Sequence, residues 1–122
     1  MTEPALDMAA FEQLLEITGG DREFLDELVD TYLEDGEAQL GAMRAAVATS
    51  DAAAILRPAH TLKSSSANVG AMALAELCRA LEADARTGVV PDMAARVDRC
   101  GAAFADARAA LLATRAEGPA AG

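Results

Sequence analysis

Apolar residues recur along this chain at helical spacing in five stretches, separated by short runs of glycine, aspartate, serine and proline. The first stretch, Asp7 to Ile17, sets Met8, Phe11, Leu14 and Leu15 on one side, and Thr18-Gly19-Gly20 stops it. Asp21 then caps a long helix that ends near Thr49 and turns Leu25, Leu28, Tyr32, Leu40, Met43 and Val47 inward. Gly36 and Gly41 fall inside it, each costing about 1 kcal/mol relative to alanine, and they mark a bend or a close helix contact, of which a bend is expected. Ser50 or Asp51 caps the third helix, in which Ile55, Ala59, Leu62, Ser66 and Val69 form a stripe spaced four, three, four and three. Pro58 lies within this helix, removes an amide donor and crowds the carbonyl of Ala54, so a kink or break is expected just before position 60.

Gly70 separates the third helix from a fourth, about Ala71 to Thr87, that buries Leu74, Leu77, Cys78, Leu81 and Ala85. Glu82 falls at the edge of that stripe, and Glu76, Arg79 and Arg86 fall outside it. After the turn Gly88-Val89-Val90-Pro91-Asp92, a last helix from Met93 to Ala116 faces Ala94, Val97, Gly101, Phe104, Ala107 and Leu111 inward. Residues 1–6 and 117–122 hold little to bury and read as a frayed N-terminus and a disordered C-terminal tail. Short connections between long helices imply antiparallel neighbours. The expected fold is therefore all-α, an antiparallel up-down four-helix bundle with a short additional N-terminal helix, in one domain over residues 7–116.

Composition sharpens this picture. Alanine is abundant and the aromatic residues are only Phe11, Phe24, Tyr32 and Phe104, which suits close helix packing better than sheets. A formal charge of −10 repels nucleic acid and anionic membrane surfaces. No apolar run reaches the roughly 18 residues a membrane span needs. Cys78 and Cys100 lie within helical patterns and no secretory signal is present, so both read as reduced core residues of a cytoplasmic protein. The arginine and alanine bias points to a GC-rich bacterial source. Because the chain opens on Met1 and the bundle fills it, a free-standing protein is expected.

The candidate chemistry lies on the third helix. His60 and Lys63 are the chain's single histidine and single lysine, one helical turn apart. At about 100° per residue, His60 lies roughly 140° from the centre of the buried stripe, Lys63 roughly 80°, Ser64 roughly 180° and Ala67 roughly 120°. The imidazole thus points out of the core among side chains too short to cover it. An exposed neutral imidazole is a competent nucleophile near pH 7, and an adjacent ammonium suits a dianionic product on the ring. The pair reads as a phosphoryl acceptor. A metal site would need more ligands than one histidine and two buried cysteines. A serine hydrolase using Ser64 would need an oxyanion hole and an orienting acid, and neither is legible.

The run His60-Thr61-Leu62-Lys63-Ser64-Ser65-Ser66-Ala67-Asn68-Val69-Gly70 resembles the motif of the histidine-containing phosphotransfer (HPt) domains of multistep phosphorelays, His-x-Leu-Lys-Gly-Ser-Ser or Ser-Ala followed by small residues and a glycine. A long helix before the motif and Leu77, Cys78, Leu81 and Glu82 after it extend the likeness over about residues 7–115. The resemblance implies that His60 is phosphorylated, that Lys63 contacts the phosphoryl group and that Gly70 closes the helix. It also implies that Glu82 orients the ring or pairs with Lys63. Ser64 departs from the usual glycine, and its hydroxyl can fold back onto the carbonyl of His60.

On this reading the protein accepts a phosphoryl group from the aspartate of a receiver domain and passes it to another receiver. The partners are response-regulator receivers or the receiver of a hybrid sensor kinase. Leu56, Ser64 and Ala67 form the docking surface around the ring, and Arg57 adds a second cation. With no phosphate-binding loop or nucleotide motif in the chain, no ATP-dependent kinase activity and no cofactor of its own are expected, and magnesium would sit on the receiver. A monomer is expected. The alternative is a helical interaction module that binds a receiver or kinase without carrying phosphate.

Overall fold

The computed structural model describes residues 6–117, and every regular element in that span is helical. The elements are α1 (Met8–Ile17), α2 (Arg22–Ala48), α3 (Ala53–Asn68), α4 (Met72–Thr87) and α5 (Met93–Glu117). The cap chemistry explains the boundaries. The carboxylates of Asp7 and Asp21 accept the amide protons of Ala9 and Phe24 at 3.0 and 3.1 Å, and that of Asp51 accepts from Ala54 at 3.2 Å, each satisfying an orphan donor of a first helical turn.

Four helices end on a left-handed residue, α4 at Gly88 with φ +88°, and the other three share one doubly hydrogen-bonded closure. After α3, the amide of Gly70 bonds the carbonyl of Ala67 and that of Ala71 the carbonyl of Ser66, with Gly70 at φ +84°. Gly19 and Gly20 close α1 in this way, and Ser50 closes α2 at φ +51°. Gly70 carries a second constraint: a Cβ there would stand 2.7 Å from the carbonyl oxygen of Asp7, whose own amide donates to Gly70 O at 2.6 Å. The start of α1 is thereby pinned to the end of α3.

Packing links α2 to α3, α3 to α4, α4 to α5 and α5 back to α2, while α1 lies against α3. The ring encloses one core that includes Ile55, Ala59, Leu62, Leu74, Leu81, Phe104 and Leu111. The stripe of α3 is buried at all of its expected positions, the hydroxyl-bearing Ser66 included. That hydroxyl is satisfied by the phenol of Tyr32 at 2.8 Å, and burial pushes the Tyr32 phenol up to about 12 although this hydrogen bond opposes the shift. Cys78 and Cys100 are buried, unbridged thiols, one on α4 and one on α5.

Several expectations are corrected. Leu6, placed in the frayed N-terminus, is 5 % exposed and belongs to the core, because the Asp7–Gly70 bond turns it under α1; residues 1–5 and 118–122 lie outside the described residues. Glu117, assigned to the tail, still belongs to α5. No break occurs at Pro58, which is buried within a continuous α3. Gly36 meets the second of its two expectations, a close contact and not the bend: α2 is one helix through it, and a Cβ would lie 2.3 Å from Cε1 of Phe104. Ala94 is exposed and lines a depression at the end of the bundle with Ser50, Val89 and Met93, so the buried stripe of α5 begins at Val97.

Candidate functional site

The outward face of α3 carries His60, and its side chain is 56 % exposed. Four residues after Cys78, on the neighbouring α4, Glu82 turns its side chain under that face and is only 5 % exposed. A carboxylate in such a position needs partners, and it has three. Lys63 Nζ donates to Oε1 at 2.6 Å, while Oε2 receives His60 Nδ1 at 2.6 Å and a guanidinium nitrogen of Arg86 at 2.7 Å. The hydrogen bond from Lys63 is the main cause that holds the carboxyl down to about 2, with Arg86 and His60 adding to it and burial opposing.

This ionisation fixes the imidazole. An ionised carboxylate only accepts hydrogen bonds, so in the neutral ring Nδ1 bears the proton and Nε2 carries the free lone pair. Because Nδ1 faces the buried carboxylate, Nε2 lies on the exposed side of the ring. The arrangement is that of an oriented nucleophile with a counter-charge behind it and an ammonium alongside.

Of the residues singled out from sequence, His60, Lys63 and Glu82 are joined in one hydrogen-bonded group. Glu82, expected at a stripe edge, is buried. Gly70 closes α3 at its far end. Ser64 is exposed and Ala67 half-buried beside it; the Ser64 hydroxyl is not bonded to the His60 carbonyl, and in the next residue Ser65 Oγ donates to Leu62 O at 3.4 Å. Leu56 packs partly against the core. Arg57 is exposed and is not among the cations on Glu82.

Arg86, set outside the stripe, is the member of the group that sequence reasoning missed. Its signal was the spacing Glu82 to Arg86, the i,i+4 relation of a helical ion pair. Beside the histidine, a depression of about 730 Å³ runs between α3 and α4, lined by Lys63, Ser64, Ala67, Met72, Ala75 and Arg79 among others. On the opposite flank of α3, Leu14, Ile17, Leu28, Tyr32 and Val69 line a cleft of about 490 Å³ with α1 and α2. No helix of the described residues is long and apolar enough to cross a membrane.

The family model for the Hpt domain matches residues 27–114. Among solved structures, histidine-containing phosphotransfer protein B (HptB) from Pseudomonas aeruginosa PAO1 is similar at 32 % sequence identity and a TM-score of 0.85, covering 95 % of this chain and 98 % of its own. No curated protein sequence matches the chain.

Proposed function

Because the chain belongs to the Hpt domain family and acts in histidine phosphotransfer within phosphorelays, we propose that His60 is its phosphoryl acceptor and that the donor and acceptor are receiver-domain aspartates. The observation that carries this reading is the bond between His60 Nδ1 and Glu82, which leaves the Nε2 lone pair on the exposed side.

The step balances without a proton leaving the ring. Nε2 attacks the phosphorus of the aspartyl acyl phosphate in line; the N–P bond forms, the P–O bond to the aspartate breaks, and the carboxylate departs with the bonding pair. The ring keeps its Nδ1 proton and becomes an imidazolium bearing a phosphoryl dianion. Glu82 opposes the ring charge as it develops, which is the task of a triad carboxylate, and Lys63 supplies a cation for the phosphoryl oxygens. Transfer onward is the reverse.

In this account the chain uses no ATP. Magnesium and the remaining stabilisation of the transferring group belong to the receiver, which docks over Leu56, Arg57, Ser64 and Ala67 and into the adjoining α3–α4 depression. Short connections between the long helices favour an up-down antiparallel arrangement, and we read the protein as a cytoplasmic monomer. Intact mass after incubation with phosphoramidate tests the assignment. One acid-labile phosphoryl group on the wild type and none on His60→Gln is the expected result. A folded wild type that takes no group from phosphoramidate or from phosphorylated receivers overturns it.

A further inference from the structure

Lys63 faces two demands. Its Nζ is engaged with Glu82 Oε1 at 2.6 Å, yet a phosphoryl dianion on His60 Nε2 needs that same ammonium. If the ammonium leaves, the buried carboxylate loses the partner that chiefly keeps it ionised, close to the new dianion. A third group on the site meets this difficulty. The guanidinium of Arg86 holds Oε2 at 2.7 Å from one turn further along α4. It stands on the same helix as Glu82, so its hold on the carboxylate does not depend on where Lys63 goes. Its side chain is 62 % exposed, and it fills no core space that would otherwise explain it.

We propose that Arg86 is a positioning residue that keeps Glu82 neutralised while Lys63 shifts from the carboxylate to the phosphoryl group on His60. Arg86 acts through Lys63 and not by touching the phosphoryl oxygens. The inference rests on His60 carrying the phosphoryl group, and it adds a residue and an exchange of partners to that reading. In the resting protein both cations share the carboxylate, one on each oxygen. In the phosphorylated protein Arg86 and the Nδ1 proton hold Oε2 alone, and Oε1 gives up its ammonium to a stronger anion.

The test is the lifetime of the phosphorylated histidine. Wild type, Arg86→Ala, Arg86→Lys, Lys63→Ala and the double variant Lys63→Ala/Arg86→Ala are labelled with phosphoramidate, and loss of the group is followed by intact mass. Arg86→Ala is expected to shorten the lifetime about two- to fivefold, the range a half-exposed ion pair commands, and Arg86→Lys to restore most of it. In the Lys63→Ala background, removing Arg86 is expected to change nothing further, because Arg86 acts by freeing Lys63 from the carboxylate and no ammonium is left to free. An unchanged lifetime in Arg86→Ala, or effects of the two substitutions that multiply independently, overturns the proposal and leaves His60 as acceptor intact. A wild type that takes no group on His60, from phosphoramidate or from phosphorylated receivers, overturns both readings together.

Discussion

Glu82 concentrates the electrostatics of the site in one side chain, and its protonation has a consequence for stability. The carboxyl is held at about 2 in the fold against an ordinary value of 4.5, so folding favours the ionised form. For a group whose pKa is depressed by folding, the stabilisation is complete above the unfolded value and is lost as pH falls through the folded one. The contribution of Glu82 is therefore present above about pH 4.5 and fades toward pH 2. Glu82→Gln, which keeps the shape and removes the charge, is expected to lower stability by about 1 kcal/mol at pH 7, with the gap closing as the pH approaches 2. Urea midpoints of the two proteins across that range check it; a gap independent of pH would mean that the charge is not its source. The periodicity of α4 put Glu82 near the core but could not bury it, because hydropathy counts a carboxylate as a surface group. What buries it is the convergence of Lys63, His60 and Arg86, and only two of those lie on α3.

Within α2, two glycines one and a half turns apart respond to substitution in opposite directions. A Cβ at Gly36 would strike the ring of Phe104 at 2.3 Å, and that ring is itself held 5.8 Å from the ring of Tyr32. Gly41 faces solvent and a Cβ there meets nothing within 4 Å. Gly36→Ala is expected to cost about 1–2 kcal/mol through displacement of the aromatic pair, whereas Gly41→Ala is expected to gain about 1 kcal/mol from helix propensity. Equal shifts in the urea midpoints of the two variants would contradict the close approach of α2 to α5. From sequence the two glycines looked alike, since propensity sees only the local chain. The helix boundaries were legible because their causes are local: the caps at Asp7, Asp21 and Asp51, and the turns at Gly19-Gly20, Gly70 and Gly88. Burial of Leu6 was not, because it depends on the bond between Asp7 and Gly70 across the fold.

Across the whole molecule the charge is distributed unevenly, and that bears on both docking and stability. The net charge is −10, yet the single lysine stands beside the single histidine, with Arg86 at the same carboxylate and Arg57 one turn away. An approaching anion therefore meets an acidic body with a cationic spot at His60, so the local field favours the anion there more than elsewhere. The acids gather toward the N-terminal side of α2, where Glu23, Asp26, Glu27, Asp30, Glu34, Asp35 and Glu37 follow Arg22. Salt screens such exposed like charges over about 10 Å at 0.1 M, while the buried carboxylate of Glu82 is screened less. Repulsion across the acidic surface is thus weakened more than the ion pairs of the site are. Raising sodium chloride from about 0.01 M to about 0.3 M is expected to lift the melting temperature by roughly 3 °C, as followed by circular dichroism at pH 7. A fall instead would mean that the ion pairs, Arg96 with Asp84 at 2.7 Å and those on Glu82, contribute more to stability than the repulsion among the acids removes.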